Sequence, residues 1–226
     1  MWIKMRKRFL FLKRSIRNLF FVDSCCLCEK SLSMGELLFC DPCFRTWKEK
    51  SLLRYYEGYY YVHLYQEPIR SWIHEYKFRG RRDFGNVFAK WMKKAFWECC
   101  RQHEIEVVIP VPIHEERRLE RGFNQTEEML DYLGVSYFRM ERRKNTEALY
   151  RYSGREDRQE KMEGAFTCPF SLEGKNVLLF DDIVTTGTTM SEMKKAIWKK
   201  GKPNKIVIFA FSLSERVKIE QKSRGK

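Results

Sequence analysis

The sequence predicts an α/β fold: a parallel sheet flanked by helices, with a small cysteine-rich module ahead of it. Three observations carry this. Val107-Val108-Ile109-Pro110-Val111-Pro112, Val177-Leu178-Leu179-Phe180 and Ile206-Val207-Ile208-Phe209-Ala210-Phe211 are continuously apolar, as strands buried on both faces must be. Helical patterns alternate with those runs, which gives the order of a parallel sheet. Five of the eight cysteines fall between residues 25 and 43, four of them as two C-x-x-C pairs.

Taken in order, residues 1–21 are basic and amphipathic. They carry Lys4, Arg6, Lys7, Arg8, Lys13, Arg14 and Arg17, with no acid before Asp23. Phe9, Leu12, Ile16, Leu19 and Phe20 recur at helical spacing. The apolar run Phe9–Leu12 is too short for a secretion signal, and no stretch reaches the roughly 20 residues of a membrane span. A cytoplasmic protein is expected, with reduced thiols. The net charge of +14 favours polyanionic partners, whether nucleic acid, anionic lipid or phosphorylated metabolites.

Residues 22–50 read as a metal-binding module. Cys25-x-x-Cys28 and Cys40-x-x-Cys43 form two knuckles, each holding two thiolates on one side of a tight turn. Together they complete a tetrahedron suited to structural Zn²⁺. Cys26 is a spare thiol that could replace Cys25. An iron–sulfur cluster is the less favoured occupant.

A larger domain is expected over residues 55–220. Tyr59-Tyr60-Tyr61-Val62 reads as a strand. A helix from Pro68 toward Lys77 follows, then the basic turn Lys77-Phe78-Arg79-Gly80-Arg81-Arg82. Helices are expected over 83–100, 124–133 and 191–200, and a further strand over 135–140. Residues 141–165 are polar and mostly charged, which predicts a mobile loop.

The chemistry concentrates at 177–189. An apolar strand ends in Asp181 and Asp182, then Thr185-Thr186-Gly187-Thr188-Thr189 leads into a helix. Ligands of open α/β sheets bind at the carboxyl ends of strands. Adjacent carboxylates repel and call for donors or a cation. The glycine permits a tight turn, and the helix N-terminus offers amides to an anion. One segment can therefore grip both ends of a ribose 5-phosphate: the acids hold the 2- and 3-hydroxyls and the loop holds the phosphate.

The segment resembles the PRPP-binding signature of type I phosphoribosyltransferases: an apolar run, two acids, then T-T-G-x-T. The run Ile109-Pro110-Val111-Pro112-Ile113-His114, the element Arg121-Gly122-Phe123-Asn124-Gln125, Lys77-Phe78-Arg79-Gly80 and the four-cysteine module resemble the ComF family of competence-associated proteins. This implies a type I phosphoribosyltransferase-like domain with PRPP and Mg²⁺ at the loop. Asp181 and Asp182 would be the catalytic pair, and Lys77, Arg79 and Arg121 would meet the pyrophosphate. It also implies a role in DNA uptake, with single-stranded DNA and competence proteins as partners. Two readings stay open: a PRPP-binding protein acting in uptake, and an active phosphoribosyltransferase with a nucleobase-type acceptor. The chain departs from the family pattern at Leu149, where a glutamine is usual after the threonine matching Thr146. It departs again at Lys161, where an asparagine is usual after the arginine matching Arg158.

Overall fold

A computed structural model describes residues 24–144 and 163–215. The basic segment 1–21 and the departures at Leu149 and Lys161 lie outside the described residues, as does most of the expected loop 141–165. The chain divides after Lys50 into two compact units.

In the first unit, Ser24 and Ser31 bridge across the first knuckle turn, and helix α1 (Asp41–Lys50) begins at the second. Leu38 and Phe39 are its only buried apolar side chains besides Cys25 and Cys40 among the described residues.

The second unit is built on strands β1 (Arg54–Tyr56), β2 (Tyr59–Leu64), β3 (Val107–Pro110), β6 (Asn176–Val184) and β7 (Lys205–Leu213), in spatial order β1-β2-β7-β6-β3. Only β1 runs antiparallel, as a hairpin with β2. The short strands β4 (Glu141–Arg142) and β5 (Phe166–Thr167) pair separately. Helices α2 (Ile69–Phe78), α3 (Asp83–Gln102), α4 (Glu115–Arg121), α5 (Gln125–Leu133) and α6 (Thr188–Trp198) complete the unit. The expected mostly parallel sheet with flanking helices is what forms.

Alternation along the strands sends side chains to two covered faces. On one, Phe88 and Phe96 of α3 pack on Phe211, Phe180 and Phe209, with centroids at 4.4, 6.2 and 5.5 Å. On the other, Met190, Met193 and Ile197 of α6 join Val177, Leu179, Ile208 and Ala210.

Two expectations change. Residues 135–140 do not form a strand. Only Phe138 N–H bonds to β3, at the Val108 carbonyl, 2.9 Å. The side chains of Tyr137 and Arg139 are instead tied to Asp131 and Glu127 of α5, each at 3.1 Å, which holds the segment to the helix. Strand β6 also does not stop at Phe180. It continues through both aspartates to Val184, because β7 supplies a ladder as far as Leu213.

His63 shows how dry the α3 side is. It is 6% exposed, faces the rings of Phe211 and Trp91, and lies 2.9 Å from Ser51 Oγ. Burial, with the Arg54 charge adding, pushes its pKa down from 6.5 to about 3. The ring is therefore neutral when folded. The stability this carries is complete above pH 6.5 and is lost as pH falls toward 3. From pH 7 to pH 5 the loss is about 2 kcal/mol, at about 1.4 kcal/mol per pH unit below 6.5. We expect His63→Gln to remove that part of the acid sensitivity. Denaturant midpoints at the two pH values test it, and an equal loss in both proteins contradicts it.

Candidate functional site

The turn after β6 carries the threonine-rich loop. Thr185, Thr186, Gly187, Thr188 and Thr189 are all partly exposed. Gly187 sits at φ 75° as the N-cap of α6, with no side chain to satisfy the first helical amides. Thr186 Oγ1 lies 3.0 Å from Thr188 Oγ1 and only weakly, at 3.5 Å, accepts from the Thr188 amide. Hydroxyls and amides thus gather where an anion is favoured by the helix N-terminus.

A Cβ on Gly187 would collide with the hydroxyl of Tyr59 on β2. Tyr59 therefore belongs to the loop's surroundings. Its place in a run of tyrosines hid this, because aromatic β-strand residues ordinarily read as core.

Asp181 and Asp182 follow one another in β6, and their carboxyls lie close enough to interact. Asp182 is 5% exposed, and the Lys77 ammonium of α2 lies 2.8 Å from its Oδ2. The geometry is that of an ion pair rather than a directed hydrogen bond. Asp181 Oδ1 accepts from the Asp182 amide at 2.8 Å. Burial pushes the Asp181 carboxyl well above the usual range. The Asp182 charge adds to this and Lys77 opposes it. A carboxyl held this way is relieved by hydroxyl donors or by further positive charge.

Of the expected basic residues, Lys77 reaches the acid pair. Arg79 is two-thirds exposed and pairs with Glu75 at 3.6 Å. Arg121 lies over the Phe78 ring at 4.9 Å and donates to Gln125 Oε1 at 3.3 Å. The Arg121–Gln125 element is a joint between helices. Gly122 ends α4 at φ 74°, and Phe123 is buried against Tyr76 at 5.3 Å. Asn124 caps α5 through the Thr126 amide, and both side chains donate to the Val111 carbonyl, at 3.2 and 2.9 Å. That fixes the end of β3 beside β6.

In the first unit the sulfurs of Cys25, Cys28, Cys40 and Cys43 all lie within 4.8 Å of one another, and those of Cys28 and Cys40 are 3.6 Å apart. Cys26 is not part of this group. A tetrahedron with Zn–S near 2.3 Å has edges of about 3.8 Å, so the four thiols fit a structural ion. Burial raises the Cys25 pKa. The amides of Cys28, Cys40 and Leu27 more than offset this and bring it down to about 6, while burial and the crowding of the other thiols push Cys40 and Cys43 up.

No protein-family model matches the chain. It is 28% identical to competence protein ComFC of Bacillus subtilis over 82% of this chain and 75% of that protein. The curated homologues it matches are named competence protein ComFC, competence protein F and DNA utilization protein YhgH. ComFC-like matches also include the competence protein ComFC of Streptococcus pneumoniae, 28% identical over 62% of this chain and 61% of that protein. The DNA utilization protein YhgH of Shigella flexneri is 21% identical over 78% of this chain and 91% of its own length. Among solved structures, a hypoxanthine phosphoribosyltransferase of Staphylococcus aureus covers 56% of this chain and 61% of its own, at 15% identity and a TM-score of 0.34. No helix among the described residues is long and apolar enough to cross a membrane.

Proposed function

We propose that this ComFC homologue binds PRPP at the β6–α6 turn and acts in DNA uptake. The observation that carries the first part is one continuous segment. It places a partly exposed threonine loop with an uncapped helix N-terminus directly after an aspartate pair, of which Asp182 is ion-paired to Lys77. The 5-phosphate would rest on Thr185, Thr186, Gly187, Thr188 and Thr189. The ribose hydroxyls would donate to Asp181 and Asp182. Lys77, beside Asp182, would face the pyrophosphate with Arg79 and Arg121, and the pyrophosphate brings Mg²⁺ with it. The names of the relatives, competence and DNA utilization proteins, support the second part and make single-stranded DNA and other uptake proteins the expected partners. In the first unit, Cys25, Cys28, Cys40 and Cys43 would hold structural Zn²⁺.

Titration calorimetry with PRPP and Mg²⁺ tests the site. Charge-assisted hydrogen bonds contribute about 1.5–3 kcal/mol each, so losing both carboxylates in Asp181→Asn with Asp182→Asn should weaken binding at least about a hundredfold. A thermal melt of the same variant shows that it is folded. Undiminished binding would refute the site. Pyrophosphate release across a panel of nucleobases then separates binding from transfer: turnover with any base adds the enzymatic role.

A further inference from the structure

Helix α3 presents an outer face that the fold does not use. Lys90, Lys93, Lys94, Trp97 and Arg101 recur at helical spacing and fall in one stripe, and all five are exposed. The opposite face buries Phe88, Trp91, Met92, Ala95, Phe96 and Cys99. None of the four cations is ion-paired among the described residues. Glu98, at the margin of the stripe, is the one acid near its middle. Trp97 is 40% exposed in the midst of these charges and is braced edge-on by Phe96 at 5.5 Å.

Aromatic surface continues where α3 ends. The His103 ring meets Tyr60 of β2 at 4.8 Å, and Tyr60 meets Tyr55 of β1 at 4.9 Å. Tyr55 is 60% exposed. Lys205, exposed at the start of β7, is close enough that its charge, after burial, lowers the His103 pKa. This group lies toward the end of the sheet where the strands begin. The threonine loop lies at the end where they finish.

We propose that the outer face of α3, with Tyr55, Tyr60 and His103 beside its C-terminus, docks a single-stranded polynucleotide. Charge complementarity argues for the backbone: unpaired lysines and an arginine in register along a rigid rod suit a string of phosphates. The exposed rings argue for a single strand. Unpaired bases offer faces to stack on, whereas a duplex hides them. An anionic membrane would use the same charges, but a surface helix for that purpose carries a broad apolar face, and here one tryptophan stands among cations. The inference gives the DNA-handling role proposed above a location, and it stands apart from the PRPP site.

Fluorescence anisotropy of a labelled oligothymidylate with the full chain tests it, against salt. Trp97→Ala should weaken binding about tenfold through the loss of one stacked base, with an unchanged melting temperature. Lys90→Ala, Lys93→Ala and Lys94→Ala together should flatten the salt dependence by about two in log–log slope, at roughly 0.7 per lost phosphate contact. The seven N-terminal cations are the same in every variant, so the difference isolates the helix. Asp181→Asn with Asp182→Asn should bind the oligonucleotide like the parent; its failure there would move DNA to the loop and overturn the assignment. Parental affinity and slope in both α3 variants would also overturn it. So would capture of phosphatidylglycerol vesicles by a protein that ignores the oligonucleotide.

Discussion

Cys28→Ser is expected to strip the bound metal and unfold residues 24–50 while leaving the melt of the second unit unchanged. The four sulfurs are already gathered within 4.8 Å, and among the described residues little else holds that unit together. Helix α1 buries none of its own residues, and Leu38 and Phe39 are the only non-cysteine core among the described residues. Two side chains of this size contribute about 3–6 kcal/mol by burial, too little to order some 25 residues. Structural zinc contributes about 10–16 kcal/mol in comparable small modules. Metal analysis of the parent should find one zinc per chain. Limited proteolysis of the variant should cut selectively before Ser51. Cys26→Ser should be silent in both measurements, since that thiol stands outside the cluster. A Cys28→Ser protein with full metal content and a protease-resistant first unit would rule out the four-thiolate site.

The second large effect is expected at Gly85, in the first turn of α3. A Cβ there would stand 2.6 Å from the Tyr76 hydroxyl oxygen and 2.9 Å from the ring carbon bearing it. The ring cannot step aside cheaply. Tyr76 is fully buried, and its hydroxyl is within hydrogen-bonding distance of the Gln125 carbonyl, 3.1 Å, and Glu128 Oε2, 3.0 Å. Glu128 is itself 8% exposed and is gripped by Arg82, whose Nε donates to Oε1 at 2.6 Å. Gly85→Val should therefore push out the tyrosine and loosen a buried carboxylate, at a cost of about 3–5 kcal/mol. For a domain of this size that lowers the melting temperature by roughly 10 °C. A melt within a degree or two of the parent would show that the network yields without cost.

The parts of the fold that could be read in advance are those whose residues have no choice. β3, β6 and β7 are buried on both sides, so each position must be apolar and the run is visible. The ladder also decides things that no single run contains. Asp181 and Asp182 look like the end of a strand, yet they lie inside β6 because a neighbour 25 to 30 residues away carries the pairing past them. The lysine that offsets Asp182 is more than a hundred residues distant, and only a resemblance singled it out. Helix α4 leaves no signature because Glu115–Arg121 holds a single apolar residue, the exposed Leu119, and buries nothing, so it has no apolar stripe to show. Residues 135–140 looked like a strand because Val135, Tyr137 and Phe138 favour one. Hydrogen bonds from Tyr137 and Arg139 to α5 outweighed that preference. The cysteine site was the most legible of all, since metal geometry is written in local spacing.

Position 187 is closed to side chains twice over. Its left-handed backbone favours glycine for conformational reasons, and the hydroxyl of Tyr59 fills the space a Cβ would need. Trimming Tyr59 to alanine would clear the space and leave the dihedral restriction in force, so position 187 would still reject most residues. The reverse does not hold: a bare position 187 makes no demand on position 59, which is held by its packing on the core below it. A change at 187 should therefore require a change at 59, whereas a change at 59 requires none at 187.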